Sequence, residues 1–209
     1  MFTLVELNDT VQIPSNMFNI PIDQAIAEQL NRRIANRVII DVGLGICLFD
    51  ILSIQESFIY HGDSETHTKV HFRFLIFRPF IGEVLTGKLR SCSLEGLHIS
   101  LGFFDDILVP SHWFPEPCRF DEREQVWIWE YQSDGEKSNL FMDVGETVRF
   151  KVKEEVFTDT SPGGPTSTSL DTHAQSTSEG LPVDNQRRTP YLIKGSIEES
   201  GLGLVSWWK

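Results

Sequence analysis

The sequence predicts an α+β protein: a small mixed unit followed by an all-β barrel. Three observations carry this. Residues 21–36, "PIDQAIAEQLNRRIAN", place Ile22, Ile26, Leu30 and Ile34 at four-residue intervals, the spacing of an apolar stripe on one helix. In "TKVHFRFLIF", Val70, Phe72, Phe74 and Ile76 alternate with Lys69, His71 and Arg73, the two-residue period of a half-buried strand. From Gly82 onward, short strand-like segments recur between turn residues, a rhythm that suits a small barrel.

In chain order, "FTLVEL" reads as a first strand, and the helix follows with Pro21 suited to its first turn. The strand-like "RVIIDVGLGICLFDIL", the polar turn "YHGDSETH" and "TKVHFRFLIF" complete a strand–helix–strand–strand unit over residues 1–80. Pro79 interrupts the most hydrophobic run of the chain, "FRPFIGEVL". Proline fixes φ and cannot donate to a sheet ladder, so it marks a seam where one sheet ends and the barrel begins. The barrel, residues 81–209, is read from "GEVLTGKLRS", "GLHISLG", "DILVP", "QVWIWEY", "ETVRFKVKEEVF" and "YLIKGSI". Residues 158–189 are rich in Ser, Thr, Gly and Pro. They hold too little apolar surface to offset their ordering entropy and are read as a disordered insertion. Ser161-Pro162 within it has the form of a phosphorylation site, although a plain spacer is the favoured reading.

Composition narrows function. The net charge of −12 argues against a general grip on nucleic acid, and residues 81–157 carry most of the imbalance, with 15 acids against 8 bases. Cys47, Cys92 and Cys118 are too few and too far apart for a disulfide framework or a zinc pattern, which suits a reducing compartment. No apolar run is long enough to cross a membrane as a helix, and the N-terminus lacks the pattern of a secretory signal.

Catalytic and cofactor motifs are absent. Gly43-Leu44-Gly45 lacks a third glycine and precedes a strand rather than a helix, so no dinucleotide or phosphate loop is expected. His61, His67 and His71, with Asp63 and Glu65, lack the tight, thiolate-rich spacing of a structural metal site, and no metal is expected. Asp105-Asp106 reads as a turn. Trp127, Trp129 and Tyr131 share one strand face, suited to packing before base stacking. The best nucleic-acid signal is a basic stripe. Arg149, Lys151 and Lys153 share a face of one strand, Lys88 and Arg90 share a face of another, and His98 points outward from a third.

"FRPFIGEV", the barrel that follows and the terminal "GLGLVS" resemble the family of large stalk subunits of eukaryotic RNA polymerases and their archaeal counterpart. "VGLGICLFDI", "HTKVHFRFLIFRPF", "HISLGFFDDILVP", "FDEREQVWIWEY" and "GLGLVSWW" look like its RNA polymerase III branch, and the likeness spans nearly the whole chain outside residues 158–189. It implies a ribonucleoprotein-like tip domain followed by an OB-fold barrel, in a nuclear, non-catalytic subunit with no cofactor. It implies tip loops around Ser15–Ile20 and His61–His67, with Gly43, Gly45, Gly62 and Asp63, against the polymerase core. It implies a small helical stalk subunit forming a heterodimer across the seam of Phe77, Pro79, Phe80 and Ile81, with initiation factors and weakly held nascent RNA as further contacts. One departure bears on RNA. Barrels of this type carry aromatic residues on strand two and an "LVHIS"-like segment, whereas here strand two offers His98 and the segment reads Leu108-Val109-Pro110-Ser111, which implies a backbone-directed contact. The rival reading is a free-standing OB-fold RNA-binding protein of translation or RNA decay.

Limited proteolysis of the isolated protein is expected to cut first within residues 158–189, and replacing that stretch by a short Gly/Ser linker to leave the barrel folded. Protection of the stretch from protease would contradict the composition argument.

Overall fold

The structure is a computed structural model that describes residues 1–133, 136–160 and 189–208. The first unit comprises β1 (Phe2–Pro14), α1 (Ile22–Ile34), β2 (Val38–Ile39), β3 (Gly43–Phe58) and β4 (Glu65–Phe77), with strands in the order β1-β4-β3-β2, all antiparallel. α1 carries Asp23 in its first turn and Arg32 and Arg33 in its last, matching the helix dipole. It buries Ala25, Ile26, Leu30 and Ile34 against Val70, Phe72, Phe74 and Ile76 of β4. Ile22, expected in that stripe, is 45% exposed. Four residues advance a helix by about 400°, so a strict four-residue stripe drifts, and Ala25 takes the inward place at the first turn. β3 is longer than its partner, and four register shifts along the β3–β4 pair absorb the difference. Such bulges increase strand twist and let the sheet curl around the helix.

The second unit comprises β5 (Val84–Ser93), β6 (Gly96–Ser100), β7 (Ile107–Pro110), β8 (Cys118–Asp121), β9 (Val126–Ser133), β10 (Glu136–Phe141), β11 (Thr147–Phe157), β12 (Tyr191–Ser196) and β13 (Gly203–Leu204). Strands β5, β6, β7, β12 and β11 pair in that order, and the β11–β5 pairing closes the ring. The result is a closed five-stranded barrel of the OB type, with one parallel pairing, β7 with β12. The sequence placed "QVWIWEY" in the barrel wall. Instead β9 is the centre of a separate sheet, β10-β9-β8, inserted between β7 and β11. Its aromatic face explains the placement. Trp127 packs on Phe114 and Phe120 at ring-centre distances of 4.9 and 5.2 Å, and its indole N–H donates to the Ser93 carbonyl at 2.8 Å. β8 and β13 are too short, and β10 too polar, to stand out by period.

Residues 161–188, most of the stretch expected to be disordered and including Ser161, lie outside the described residues. The flanks of that stretch meet where the Thr158 N–H donates to the Pro190 carbonyl at 3.0 Å.

Pro79 lies in the 78–83 connection between β4 and β5. Phe77, expected to be only partly covered there, is fully buried. The reason is its parity. It pairs with Phe2 and Leu44 on the sheet face opposite α1, and that face meets the barrel. Its ring lies 5.7 Å from Phe2, 5.0 Å from Phe103 and 5.3 Å from Phe104. Phe104 continues to Tyr191 at 5.5 Å, and Tyr191 stacks on Phe157 at 4.4 Å. Next along the chain, Arg78 makes a two-pronged ion pair with Glu155 of β11, donates to the Asp41 carbonyl and lies over the Phe157 ring. The Met1 amino group pairs with Glu83 at 2.8 Å. Val152 donates its backbone N–H to the Glu83 carbonyl and accepts that of Gly82. Phe80 and Ile81 stay outside this seal, 65% and 67% exposed.

Replacing Phe77 with Ala should cost about 3–5 kcal/mol, because the residue is buried in the contact shared by both units. Urea denaturation followed by Trp fluorescence, which reads the second unit, and by backbone circular dichroism should show one shifted transition. A loss under about 1 kcal/mol would mean that Phe77 does not join the two units.

Candidate interaction surfaces

Three surfaces gather the residues singled out from the sequence. The first is the outer wall of the barrel over β6, β5 and β11. The register sets Lys88 opposite both Ser100 and Thr147, and Arg149 opposite Thr86, so Lys88, Arg149, Lys151 and His98 share the outer face. Arg90 and Lys153 sit where the register shifts, between Leu89 and Ser91 and between Val152 and Glu154. Strand period thus brings the basic set together, but the structure also supplies counter-charges that sequence spacing did not reveal. Lys151 donates to both Glu199 oxygens at 2.7 and 2.9 Å, and Lys153 lies 3.7 Å from the same carboxylate. The Lys151 hydrogen bond holds the Glu199 carboxyl below its ordinary range. Arg90 pairs with Asp105 at 2.7 Å, Lys194 with Glu154 at 2.9 Å, and Arg149 donates to the Gly201 carbonyl at 3.3 Å. His98 lies 3.4 Å from the Ser93 hydroxyl. Lys88 has no ion pair among the described residues. The wall is therefore a patch of largely compensated cations, suited to weak phosphate contact.

The second surface is the far end of the first unit, where the β3–β4 hairpin turns. Phe58, Tyr60 and His67 form a ring cluster with centre distances of 4.8–5.9 Å. His67 Nε2 lies 2.8 Å from Asp63, whose other oxygen accepts the Glu65 N–H at 3.1 Å. These hydrogen bonds, led by His67, hold the Asp63 carboxyl below its ordinary range and brace the His61–Gly62–Asp63 turn. Beside it, Phe18, Ile22, Ile59 and Tyr60 are exposed, and a hollow of about 230 Å³ opens between Ile13, Met17, Phe18 and Ile20. Gly43 and Gly45 are not part of this surface. They begin β3 at the seam end of the sheet, roughly 40 Å away along strands that rise about 3.3 Å per residue. Both are buried. A Cβ on Gly43 would fall 2.6 Å from the Phe77 carbonyl oxygen and one on Gly45 2.5 Å from that of Ile34. At both positions the backbone approaches too closely for a side chain. The apolar end "SFIY", running past its strand into a turn, was the readable signal for the surface.

The third surface lies beside the seam, where Phe80, Ile81 and Val84 stand exposed around Pro79 while Phe77 is withdrawn into the core.

Of the three free cysteines, Cys47 is exposed, Cys118 is partly buried and Cys92 is buried. Burial pushes the Cys118 thiol up to about 12 and raises that of Cys92, so neither supplies a thiolate at neutral pH. Among the described residues, no three His, Cys, Asp or Glu side chains are grouped to hold a metal ion.

Comparison with known proteins gives this architecture a family. Residues 83–208 match the model of RNA polymerase III subunit Rpc25, and residues 8–64 match the SHS2 domain found in the N terminus of Rpb7p and Rpc25p. The chain is 51% identical over 208 residues to DNA-directed RNA polymerase III subunit RPC8 of Bos taurus, covering 100% of this chain and 98% of that protein. It is 38% identical over 216 residues to the protein of that name from Saccharomyces cerevisiae, covering all of both. A more distant likeness, 28% over 149 residues, links it to DNA-directed RNA polymerase subunit Rpo7 of Sulfolobus acidocaldarius, covering 71% of this chain and 78% of that one. The chain belongs to the Rpc25 family of RNA polymerase III subunits, within the wider group that includes archaeal Rpo7.

Proposed function

We propose that this chain is the large, non-catalytic stalk subunit of nuclear RNA polymerase III. In this role it is a wedge and an adaptor in the initiation of small structured RNAs. The single observation that carries the reading is the sealed seam. A rigid joint lets one end of the molecule dock while the other is held at a fixed place, the mechanical requirement of a stalk. The hairpin end, with Phe18, Ile59 and Tyr60 exposed beside the His61–Asp63 turn, docks on the polymerase core. Family membership supports a place on the polymerase.

Phe80 and Ile81, beside Pro79, are the surface for a small helical stalk subunit lying across both units. Two large apolar side chains exposed side by side at a joint mark an interface. The outer barrel wall, with Lys88, Arg90, His98, Arg149, Lys151 and Lys153, faces nascent RNA and initiation factors. Phosphate must displace Glu199 to reach Lys151 or Lys153, which keeps the RNA contact weak. The same basic wall is the one feature that favours a free-standing RNA-binding module. Its internal pairing and the net charge of −12 weigh against that rival.

Purification of the tagged chain from nuclear extract tests the assignment. Co-elution with a many-subunit polymerase is expected, and co-elution with ribosomes or an exonuclease instead would overturn it. The lone chain should bind a hydrophobic dye, and co-expression with its helical partner should raise its melting temperature, since a ligand of the folded state stabilises it. Phe80→Asp should weaken the heterodimer more than Lys153→Ala, measured by calorimetry; equal effects would remove the seam from the interface. RNA binding should be weak and salt-dependent. Neutralising Arg149, Lys151 and Lys153 together should lower the log–log salt slope by about 2, at roughly 0.7 per single-strand phosphate contact. An unchanged slope would exclude that wall.

A further inference from the structure

The aromatic face of β9 is only partly used by the fold. Trp127 is spent in the core, but Trp129 and Tyr131 continue along the same face and meet the end of the chain. There, residues Val205–Trp208 form a short 3-10 helix. Two contacts seat it. The Trp207 ring lies against Gly203, where a Cβ would come within 2.5 Å of it, and the Trp208 indole N–H donates to the Leu202 carbonyl at 2.9 Å. Trp129 touches both sides of the arrangement, 5.1 Å from Tyr131 and 5.2 Å from Trp207 between ring centres.

Between β9 and this terminal turn lies a hollow of about 260 Å³, lined by Trp129, Tyr131 and Trp208, with Glu198 and Glu199 at its edge. Tyr131 and Trp208 are half-exposed, 43% and 45%, so their rings are not consumed by packing. Among the described residues, no Lys or Arg lines the hollow. Glu199 is shared with Lys151 and Lys153, whereas the Glu198 carboxylate has no ion-pair partner among the described residues. Aromatic ring faces are electron-rich and attract cations, and a carboxylate beside them supplies the counter-charge. Glu198 and Glu199 make the lining of the hollow acidic, which draws a cation and disfavours phosphate there.

We propose that this hollow binds a single cationic side chain, arginine or lysine, presented by a basic segment of a protein partner. The charge excludes the other reading of the same rings, a nucleobase platform. A nucleotide would have to bring its phosphate against Glu198 and Glu199. The proposal concerns a surface distinct from the hairpin end and from Phe80 and Ile81, so it can fail without touching the stalk assignment, and the reverse holds too.

The test uses the full chain and four probes: a Gly/Ser heptapeptide with a central arginine, the same peptide with lysine, the same peptide with neutral citrulline, and uridine monophosphate. The readout is the indole N–H resonances of Trp129 and Trp208 in a nitrogen-15 correlation spectrum. The arginine or the lysine peptide should shift both resonances saturably, and whichever binds more tightly identifies the preferred cation. Citrulline should shift neither. Glu198→Gln should weaken binding at least threefold while leaving the rest of the spectrum in place, and Trp208→Ala should abolish it. Lys88→Gln, on the outer barrel wall, should change nothing. Equal shifts with citrulline would show that charge is not read. Shifts with uridine monophosphate alone would make the hollow a nucleobase site. The absence of any shift with either cation would remove the site. Each of these three results overturns the proposal.

Discussion

The joint at Phe77 and Arg78 is the constraint on which the rest of the molecule depends. Neither unit covers its own end. The face of the first sheet opposite α1 leaves Phe2, Leu44 and Phe77 uncovered, and the barrel leaves Phe103, Phe104 and Tyr191. Bringing the two together buries Leu44, Phe77, Phe104 and Tyr191 and leaves Phe2 and Phe103 about half-exposed at the margin, and the gain scales with the apolar area removed. Apolar contact alone has no direction. Arg78 supplies it, because a guanidinium gripping Glu155 with two prongs while capping the Asp41 carbonyl fits one relative orientation. The pair is partly exposed, so screening limits its contribution to stability, and its main consequence is geometric. That Glu155 pairing raises the Arg78 pKa still further, so the guanidinium stays charged throughout the neutral and alkaline range.

From this joint follows the division of labour across the surface. An acidic protein carries its basic groups in local compensation, as on the barrel wall, where Glu199 and Asp105 answer Lys151, Lys153 and Arg90. Such a wall offers phosphate only a weak contact, because each cation must first leave its carboxylate. Among other places on the surface, large apolar groups stand exposed at the hairpin end and at the seam margin. Those are the positions a body needs if it is to be attached at one end and braced at its middle.

Much of this was legible in the sequence where one period decided the outcome. The alternation in Val70–Ile76 fixed the buried face of β4, and Pro79 located the break between sheets, because proline has few places to sit near a strand. Legibility ended where a residue's fate depends on what another part of the chain brings to it. Phe77 looked like a margin residue because its cover, Phe103 and Phe104, lies on a loop of the other unit. The resemblance implied a partner contact for Gly43 and Gly45, and the fold shows them pressed against the Phe77 and Ile34 carbonyls. The basic stripe was readable from strand period, but Glu199, some 46 residues beyond Lys153 in the chain, was not. The position of β9 was missed for the same reason, since the ring partners of Trp127, Phe114 and Phe120, come from segments that precede it in the chain and lie outside the barrel wall.

The central claim is that the two units form one rigid body. Residual dipolar couplings of backbone amides test it most directly in the free protein. Couplings from β1–β4 and α1 should fit the same alignment tensor as those from the barrel strands, in magnitude and orientation, and Arg78→Ala should make the two tensors diverge. Two tensors of unequal magnitude in the unaltered chain would mean that the units move independently, and the joint could not then hold the barrel in place relative to a docked tip.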